Sequence, residues 1–249
     1  MINQKTTSSK IPDSKIIVAL DYADAKSALQ LVEQLNPDLC KLKIGKELFT
    51  AAGPQLVETI VEKGFKLFLD LKFHDIPNTV AKACMAASNL GVWMLNVHAS
   101  GGVPMMQAAR EAIDKTSHKP HLIAVTVLTS MNQTIFNQLG INSTIEAQVL
   151  NLATLTKQAG LDGVVCSALE AHALREKLGN NFCLVTPGIR LANDSSSVHA
   201  NSINLDDQSR VVTPRDALNN GASYLVIGRP ITQAHNPLKT LENILREIA

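Results

Sequence analysis

Three closely spaced charged side chains could carry chemistry in this chain: Asp70, Lys72 and Asp75, within FLDLKFHDIPNTV at 68–80. The apolar run predicts a buried strand, and because side chains alternate along a strand, Asp70 and Lys72 should point the same way. A carboxylate and an ammonium are costly to bury unless they pair with each other or do chemistry. The ammonium could supply a positive charge and a proton to a reacting atom. The alternative is an ion-pair cluster that only caps the strand.

The stretch belongs to a series of short apolar runs, each followed by a helical pattern. Continuous apolar character predicts strands covered on both faces, as in parallel sheets. Eight strand–helix units in a chain of this length predict a (β/α)8 TIM barrel. The main competitor is an open doubly wound sheet, but no GxGxxG motif follows the first strand. The runs lie at 16–21, 39–45, 66–73, 93–99, 121–129, 163–167, 183–189 and 224–230.

Helix starts are marked by capping residues. Ser143 and Glu146 form a capping-box pattern that predicts a helix over 144–159. Thr213 and Asn236 each precede a proline, which favours a capping residue followed by the first helical position.

Composition excludes several classes of function. Lys and Arg number 23 and Asp and Glu number 22, so no net charge favours nucleic acid or an anionic membrane as a partner. An aromatic content of 4% argues against a base-stacking surface. The four cysteines are widely spaced, which is typical of reduced thiols in a cytoplasmic protein. We therefore expect a cytoplasmic location and neither nucleic acid nor membrane as a partner.

The chain shows one domain. Its polar opening lacks the apolar centre of a signal peptide, and no apolar run approaches the roughly 20 residues that cross a bilayer. No linker or low-complexity tract divides the remainder. We expect a polar N-terminal extension at 1–14 and one barrel domain over 15–249.

Residues that could react or bind a ligand cluster at the C-terminal ends of the predicted strands, where barrel enzymes place their active sites. The opposite ends carry few such groups. The cluster consists of Asp21, Lys43, Asp70, Lys72, Asn96, His98, Thr129, Ser130, Gly188, Arg190, Gly228 and Arg229.

The last two predicted strands are followed by glycine–arginine pairs, Gly188-x-Arg190 and Gly228-Arg229. Barrels often bind phosphate at this position, because glycine lets backbone N–H groups approach an anion and arginine adds a charged fork. The polar stretch from Leu191 to Val212 has no periodicity, which favours a lid. Gln208 could then contact the anion once the lid closes.

The predicted helix over 77–90 is small and apolar all round, which suggests a subunit interface; the alternative is a helix covered by a neighbouring loop. The histidines show no spacing typical of a metal site, so we expect no metal. His74 and His98 are better explained as hydrogen-bonding groups behind the site.

The combined motifs resemble the orotidine 5'-phosphate decarboxylase family over essentially the whole chain after the polar opening. The motifs are FLDLKFHDIPNTV, VALD (18–21), KLKIG (41–45), NVHASGG (96–102), TVLTSM (126–131), VTPGIR (185–190) and VIGRP (226–230). The resemblance implies decarboxylation of orotidine 5'-monophosphate to uridine 5'-monophosphate, the last step of de novo pyrimidine nucleotide synthesis, without cofactor or metal.

The resemblance also implies a role for each matching residue. Lys72 would donate the proton to C6 of the ring, and Asp70 would lie beside the departing carboxylate. Lys43 with Asp21 would hold the ribose hydroxyls. The residues assigned to the partner's active site in a homodimer are Asp75 and Thr79. Thr129 would meet the pyrimidine amide, and the phosphate ligands would be Arg190, Gln208, Gly228 and Arg229.

Two alternatives remain open. Another member of the same superfamily would act on a sugar phosphate, as a decarboxylase or aldolase, with acidic residues that hold Mg²⁺. A catalytically silent barrel would bind a nucleotide without turnover.

Overall fold

Eight parallel strands close into a barrel in the computed structural model, which describes residues 13–191 and 212–249. Each strand pairs with the next along the chain, and the last pairs with the first. The predicted (β/α)8 barrel is confirmed. The strands are β1 (Ile16–Leu20), β2 (Lys41–Gly45), β3 (Leu67–Phe73), β4 (Met94–His98), β5 (His121–Val125), β6 (Gly163–Val165), β7 (Cys183–Thr186) and β8 (Tyr224–Ile227).

Helices connect successive strands around the outside. None of the helices in the two described ranges is long and apolar enough to span a membrane. The helices are α1 (Ala25–Val32), α2 (Lys46–Glu62), α3 (Pro77–Asn89), α4 (Gly102–Asp114), α5 (Gln133–Gln138), α6 (Ile145–Gln158), α7 (Ala168–Leu178), α8 (Pro214–Asn219), α9 (Arg229–Thr232) and α10 (Pro237–Ile248).

Two of the three predicted caps are confirmed. Thr213 and Asn236 accept backbone N–H groups at the starts of α8 and α10, each ahead of a proline. The prediction of Ser143 as the cap of α6 is wrong. The helix begins at Ile145, and the Oγ1 atom of Thr144 accepts the N–H of Ala147 at 3.2 Å. Neighbouring hydroxyl residues leave this position ambiguous in the sequence.

The continuous apolar runs have a simple cause, which β1 illustrates. Ile16, Val18 and Leu20 pack outward into the layer between the strands and the helices. Ile17 and Ala19 pack inward, in a smaller cluster that fills the barrel. Both faces are dry, so no position along the strand favours a polar residue.

The N-terminal end of the barrel holds more charge than the sequence predicts. Lys41 is buried and forms an ion pair with Asp13 at 3.0 Å, while its ammonium lies 5.0 Å from the ring centre of Trp93 and 4.8 Å from that of Tyr224. It also donates to the backbone oxygen of Ser14. The chain just before β1 is thereby held under the barrel. The boundary of the predicted extension at 1–14 stays a prediction, because residues 1–12 lie outside the described ranges.

Several strands end earlier than predicted, and β5, β7 and β8 do so by three residues or more. β5 ends at Val125, and the chain turns farther on, where the N–H of Met131 donates to the oxygen of Leu128 at 2.9 Å. β7 ends before Pro187, which has no N–H for the ladder, and Gly188 follows with a φ of 79°. The polar residues beyond these strands therefore lie in loops over the barrel mouth.

Candidate active site

A cavity of about 380 Å³ opens at the C-terminal ends of the strands. Its size lies within the range of roughly 300–1,000 Å³ that small-molecule sites occupy. Its floor is the top of the barrel interior: Ala19, Phe68, Val125, Val165, Val185 and Val226. Its polar lining consists of Asp21, Lys43, Asp70, Lys72, Thr129, Ser130, Arg190 and Arg229.

Asp70 is the centre of the polar cluster. Its Oδ1 atom accepts from Nζ of Lys72 at 2.7 Å, and its Oδ2 atom lies 3.5 Å from Nζ of Lys43. The side chains of Asp70 and Lys72 are 13% and 25% exposed, so both charges are largely removed from water but remain open to the cavity. Each charge has an opposite partner, which makes this burial tolerable.

Lys43 links this pair to a second carboxylate, since its Nζ lies 3.3 Å from Oδ1 of Asp21. The order is carboxylate, ammonium, carboxylate, ammonium, from Asp21 at the rim to Lys72. β1, β2 and β3 contribute these groups or end beside them. Adjacent parallel strands end at the same level, so groups far apart in sequence meet here.

The backbone between Asp70 and Lys72 is not the regular strand that the sequence predicts. β3 pairs with β4 as Leu69 with Leu95 and then Phe73 with Val97, which leaves three residues opposite one. Lys72 has a φ of 54°, a left-handed conformation that non-glycine residues rarely adopt. A bulge therefore sets the direction of the two side chains, rather than simple alternation.

Asn96, which the sequence places in the strand-end cluster without a role of its own, is part of the site. It lies in β4, is completely buried, and donates from Nδ2 to Oδ1 of Asp70 at 2.7 Å. Its Oδ1 atom accepts the backbone N–H of Lys72 at 2.8 Å. The signal in the sequence was one amide side chain in the otherwise apolar strand MLNV.

The predicted phosphate loops lie on the same cavity as the lysines. Gly188, Arg190, Gly228 and Arg229 all line it, as does Thr129 from the loop after β5. The positive φ of Gly188 requires glycine at this turn. The N–H of Arg190 donates to the oxygen of Val212 at 3.2 Å, which ties together the two ends of the predicted lid.

Two predicted site residues are not brought into the cavity of their own chain. Asp75 and Thr79 are exposed and are not among the described residues that line it. The Oδ1 atom of Asp75 accepts the N–H of Ile76 at 2.6 Å. Gln208, with most of the predicted lid at 191–212, lies outside the described residues.

The prediction that the helix after β3 is apolar all round is wrong. Cys84 is buried on the inner side of α3, whereas Lys82 and Thr79 are exposed on the outer side. The sequence pattern missed this because small residues occur on both sides. Ile76 is nevertheless 66% exposed and Met85 40% exposed, which is unusual for large apolar side chains beside a polar site.

His98 lies behind the site at the end of β4. Its ring stacks on that of His74, with 5.5 Å between the ring centres. Burial lowers the pKa of His98, and the neighbouring His74, Lys46 and Lys72 lower it further, to about 4. The ring is therefore neutral near pH 7.

The described part of the chain contains no group of three or more His, Cys, Asp or Glu side chains placed to hold a metal ion. Within the cavity, the two carboxylates instead face ammonium groups.

Comparison with known proteins agrees with this geometry. A family model described as Orotidine 5'-phosphate decarboxylase / HUMPS family matches residues 14–244. The curated orotidine 5'-phosphate decarboxylase of Nitrosococcus oceani is 58% identical over 236 residues, 95% of this chain and 98% of that protein. That of Saccharophagus degradans is 57% identical over 239 residues, 96% of this chain and 97% of that protein.

A solved structure shows the same fold over nearly the same length. The crystal structure of orotidine 5'-phosphate decarboxylase from Lactobacillus acidophilus has a TM-score of 0.81 and 36% identity, covering 95% of this chain and 99% of that one. The chain therefore belongs to the orotidine 5'-phosphate decarboxylase family, as its motifs predict.

Proposed function

We propose that this chain decarboxylates orotidine 5'-monophosphate to uridine 5'-monophosphate and CO₂, the activity for which its relatives are named, with Lys72 as the proton donor. One observation carries the assignment to Lys72: its ammonium reaches an apolar-floored cavity while paired with Asp70 at 2.7 Å. A barrel that only bound the nucleotide would not need an ammonium group beside Asp70 in this cavity.

The chemistry of the reaction explains the need for this cation. Loss of CO₂ leaves an electron pair on C6 of the pyrimidine ring, with no cofactor to delocalise it. A fixed positive charge beside that carbon stabilises the developing anion more in a partly dry site than in water. Lys72 then transfers its proton to C6, which completes the product.

Asp70 would lie beside the substrate's carboxylate and hold the ammonium in place. Its Oδ1 atom accepts from Lys72 and Asn96 and its Oδ2 atom forms an ion pair with Lys43, so its negative charge stays fixed on the reacting side. A preorganised ion pair does not need to reorient during the reaction.

Binding of the remaining substrate uses groups farther from C6. Lys43 and Asp21, 3.3 Å apart at the rim, would hold the ribose hydroxyls. Thr129 would contact the pyrimidine amide, and Arg190, Arg229 and Gly228 would bind the phosphate. These contacts supply binding energy that positions the ring against Lys72. Gln208 is the phosphate ligand that we assign on the motif alone.

A homodimer would complete each site. Asp75 and Thr79 are exposed outside their own cavity, and the neighbouring Ile76 and Met85 leave apolar surface for a second copy. An isologous interface that uses this surface would place Asp75 of each chain at its partner's cavity. We further propose a cytoplasmic location, which suits reduced cysteines and a soluble nucleotide substrate.

Loss of orotidine 5'-monophosphate absorbance is the direct test. The wild type should turn the substrate over, whereas Lys72→Ala should lose at least about 10³-fold in kcat, since it removes both the charge and the proton. Lys177→Ala, an exposed lysine in the last turn of α7, is the matched control and should retain full activity. A wild type that binds uridine 5'-monophosphate but shows no turnover would support the silent nucleotide-binding barrel instead.

A further inference from the structure

We infer that Asn96 is a positioning residue for the decarboxylation, because its side-chain amide fixes Asp70 and the backbone of Lys72 in one arrangement. The inference rests on the proposed function of Lys72. Asn96 is completely buried and is not among the described residues that line the cavity, so it acts through its neighbours.

The side chain of Asn96 makes two hydrogen bonds, one to Asp70 and one to the backbone of Lys72. Nδ2 donates to Oδ1 of Asp70 at 2.7 Å, and Oδ1 accepts the backbone N–H of Lys72 at 2.8 Å. The same Asp70 oxygen accepts from Nζ of Lys72 at 2.7 Å. One amide, one carboxylate and one lysine thus form a closed set of contacts, in which moving any member strains the others.

The bulge of β3 explains why an amide is needed here. Leu69 pairs with Leu95 and Phe73 pairs with Val97, so Asn96 alone faces residues 70–72. The N–H of Lys72 points to a side chain instead of a ladder carbonyl. Without Asn96 this part-buried N–H would lose its acceptor, and the φ of 54° at Lys72 would lose one of the contacts that hold it.

An amide provides one donor and one acceptor at this length without adding charge. An aspartate has the same shape but lacks the donor and would place a second carboxylate against Asp70. A leucine fills the space but satisfies neither partner. These two replacements therefore separate the polar contacts from the packing.

The experiment measures kcat, KM and the pH dependence of kcat for Asn96→Asp and Asn96→Leu with orotidine 5'-monophosphate. For Asn96→Asp we expect kcat to fall by about 10²-fold while KM changes by less than about threefold, since misplaced catalytic groups affect chemistry and not phosphate binding. The loss in kcat relative to the wild type should become smaller at low pH, because protonation of the introduced carboxyl restores a donor to Asp70.

The matched control is Thr156→Val, which removes a buried hydroxyl of α6 that donates to the oxygen of Leu152 and is not among the described residues that line the cavity. It should lower thermal stability with kcat unchanged. The inference is wrong if folded Asn96→Asp keeps wild-type kcat even at the alkaline end of the pH range, where the introduced carboxyl is ionised, or if its loss in kcat is the same at every pH. Asn96→Asp is decisive even when Asn96→Leu does not fold. A wild type without turnover overturns the proposed function itself, and this inference with it.

Discussion

Lys43 and Lys72 bind opposite oxygens of one carboxylate, that of Asp70, at 3.5 Å and 2.7 Å. The shared partner keeps the two ammonium groups close together despite their repulsion. Lys43 also reaches Asp21 at the rim, whereas Lys72 lies on the bulge. The two lysines are therefore structurally coupled but face different parts of a bound nucleotide.

This difference predicts different kinetic effects for the two lysines. Lys43→Ala removes a ribose contact, so KM should rise by about 10- to 100-fold, the value of a charged hydrogen bond, with a smaller loss in kcat. Lys72→Ala should lower kcat far more than it raises KM. Steady-state kinetics on both variants checks this, and an equal loss in kcat for the two lysines would contradict the separation of roles.

Arg229 should matter for the phosphate and not for the chemistry. Arg229→Ala removes a charge-assisted contact to the anion, so KM should rise by about 10- to 100-fold. Arg215→Ala, an exposed arginine at the start of α8 that is not among the cavity-lining residues, is the control and should leave KM unchanged. A substrate analogue without the phosphate should show no difference between Arg229→Ala and the wild type. If Arg229→Ala also raises KM for this analogue, Arg229 contacts another part of the substrate.

Metal removal separates the decarboxylase from the metal-dependent alternative. The cavity places ammonium groups beside both of its carboxylates, which uses the sites that Mg²⁺ would need. We expect the rate with orotidine 5'-monophosphate to be unchanged after dialysis against EDTA. A rate that falls with EDTA and returns with added Mg²⁺ would favour the sugar-phosphate enzyme.

The barrel and most of the site were accessible from the sequence for a physical reason. Strands covered on both faces are continuously apolar, so Asp70, Lys43 and Asp21 stand out where such runs end. The bulge at Lys72 was not accessible, since it depends on pairing with β4 and on the side chain of Asn96. The burial of Lys41 could not be predicted from the sequence, because its acidic and aromatic partners come from three distant segments.

Acid should destabilise the fold partly through His98. Its pKa is about 4 in the folded chain, below the ordinary 6.5. Between these two values only the unfolded chain takes up the proton, so stability from this group is complete above about pH 6.5 and is lost as pH falls toward 4. His98→Gln should therefore lose less in Tm than the wild type between about pH 7 and pH 4.5.

The pH slope, rather than Tm at one pH, isolates this effect from lost packing. His172→Gln is the control, because His172 is exposed on α7, and it should keep the wild-type slope. The groups that face His98 are His74, Lys46, Lys72 and Asp70, and all remain in both variants. If Tm of His98→Gln varies with pH as it does in the wild type, the His98 ring has the same pKa in the folded and unfolded chains.

The shared-site dimer makes the sharpest prediction. Asp75→Asn and Lys72→Ala chains should each be nearly inactive alone, because every site of either homodimer lacks one essential group. A mixed dimer contains one site with both substitutions and one site with neither. Random exchange should therefore restore about a quarter of the wild-type activity per total site, since half the dimers carry one intact site of two.

A second mixture serves as its control. Asp70 and Lys72 line the same cavity of one chain, so mixing Asp70→Asn with Lys72→Ala leaves every site defective and should restore nothing. Exchange is shown independently with differently tagged chains that purify together. If the tags exchange and the Asp75→Asn mixture stays inactive, Asp75 acts within its own chain. If both mixtures recover, Asp70 and Lys72 do not serve one site, and the arrangement around Lys72 must be redrawn.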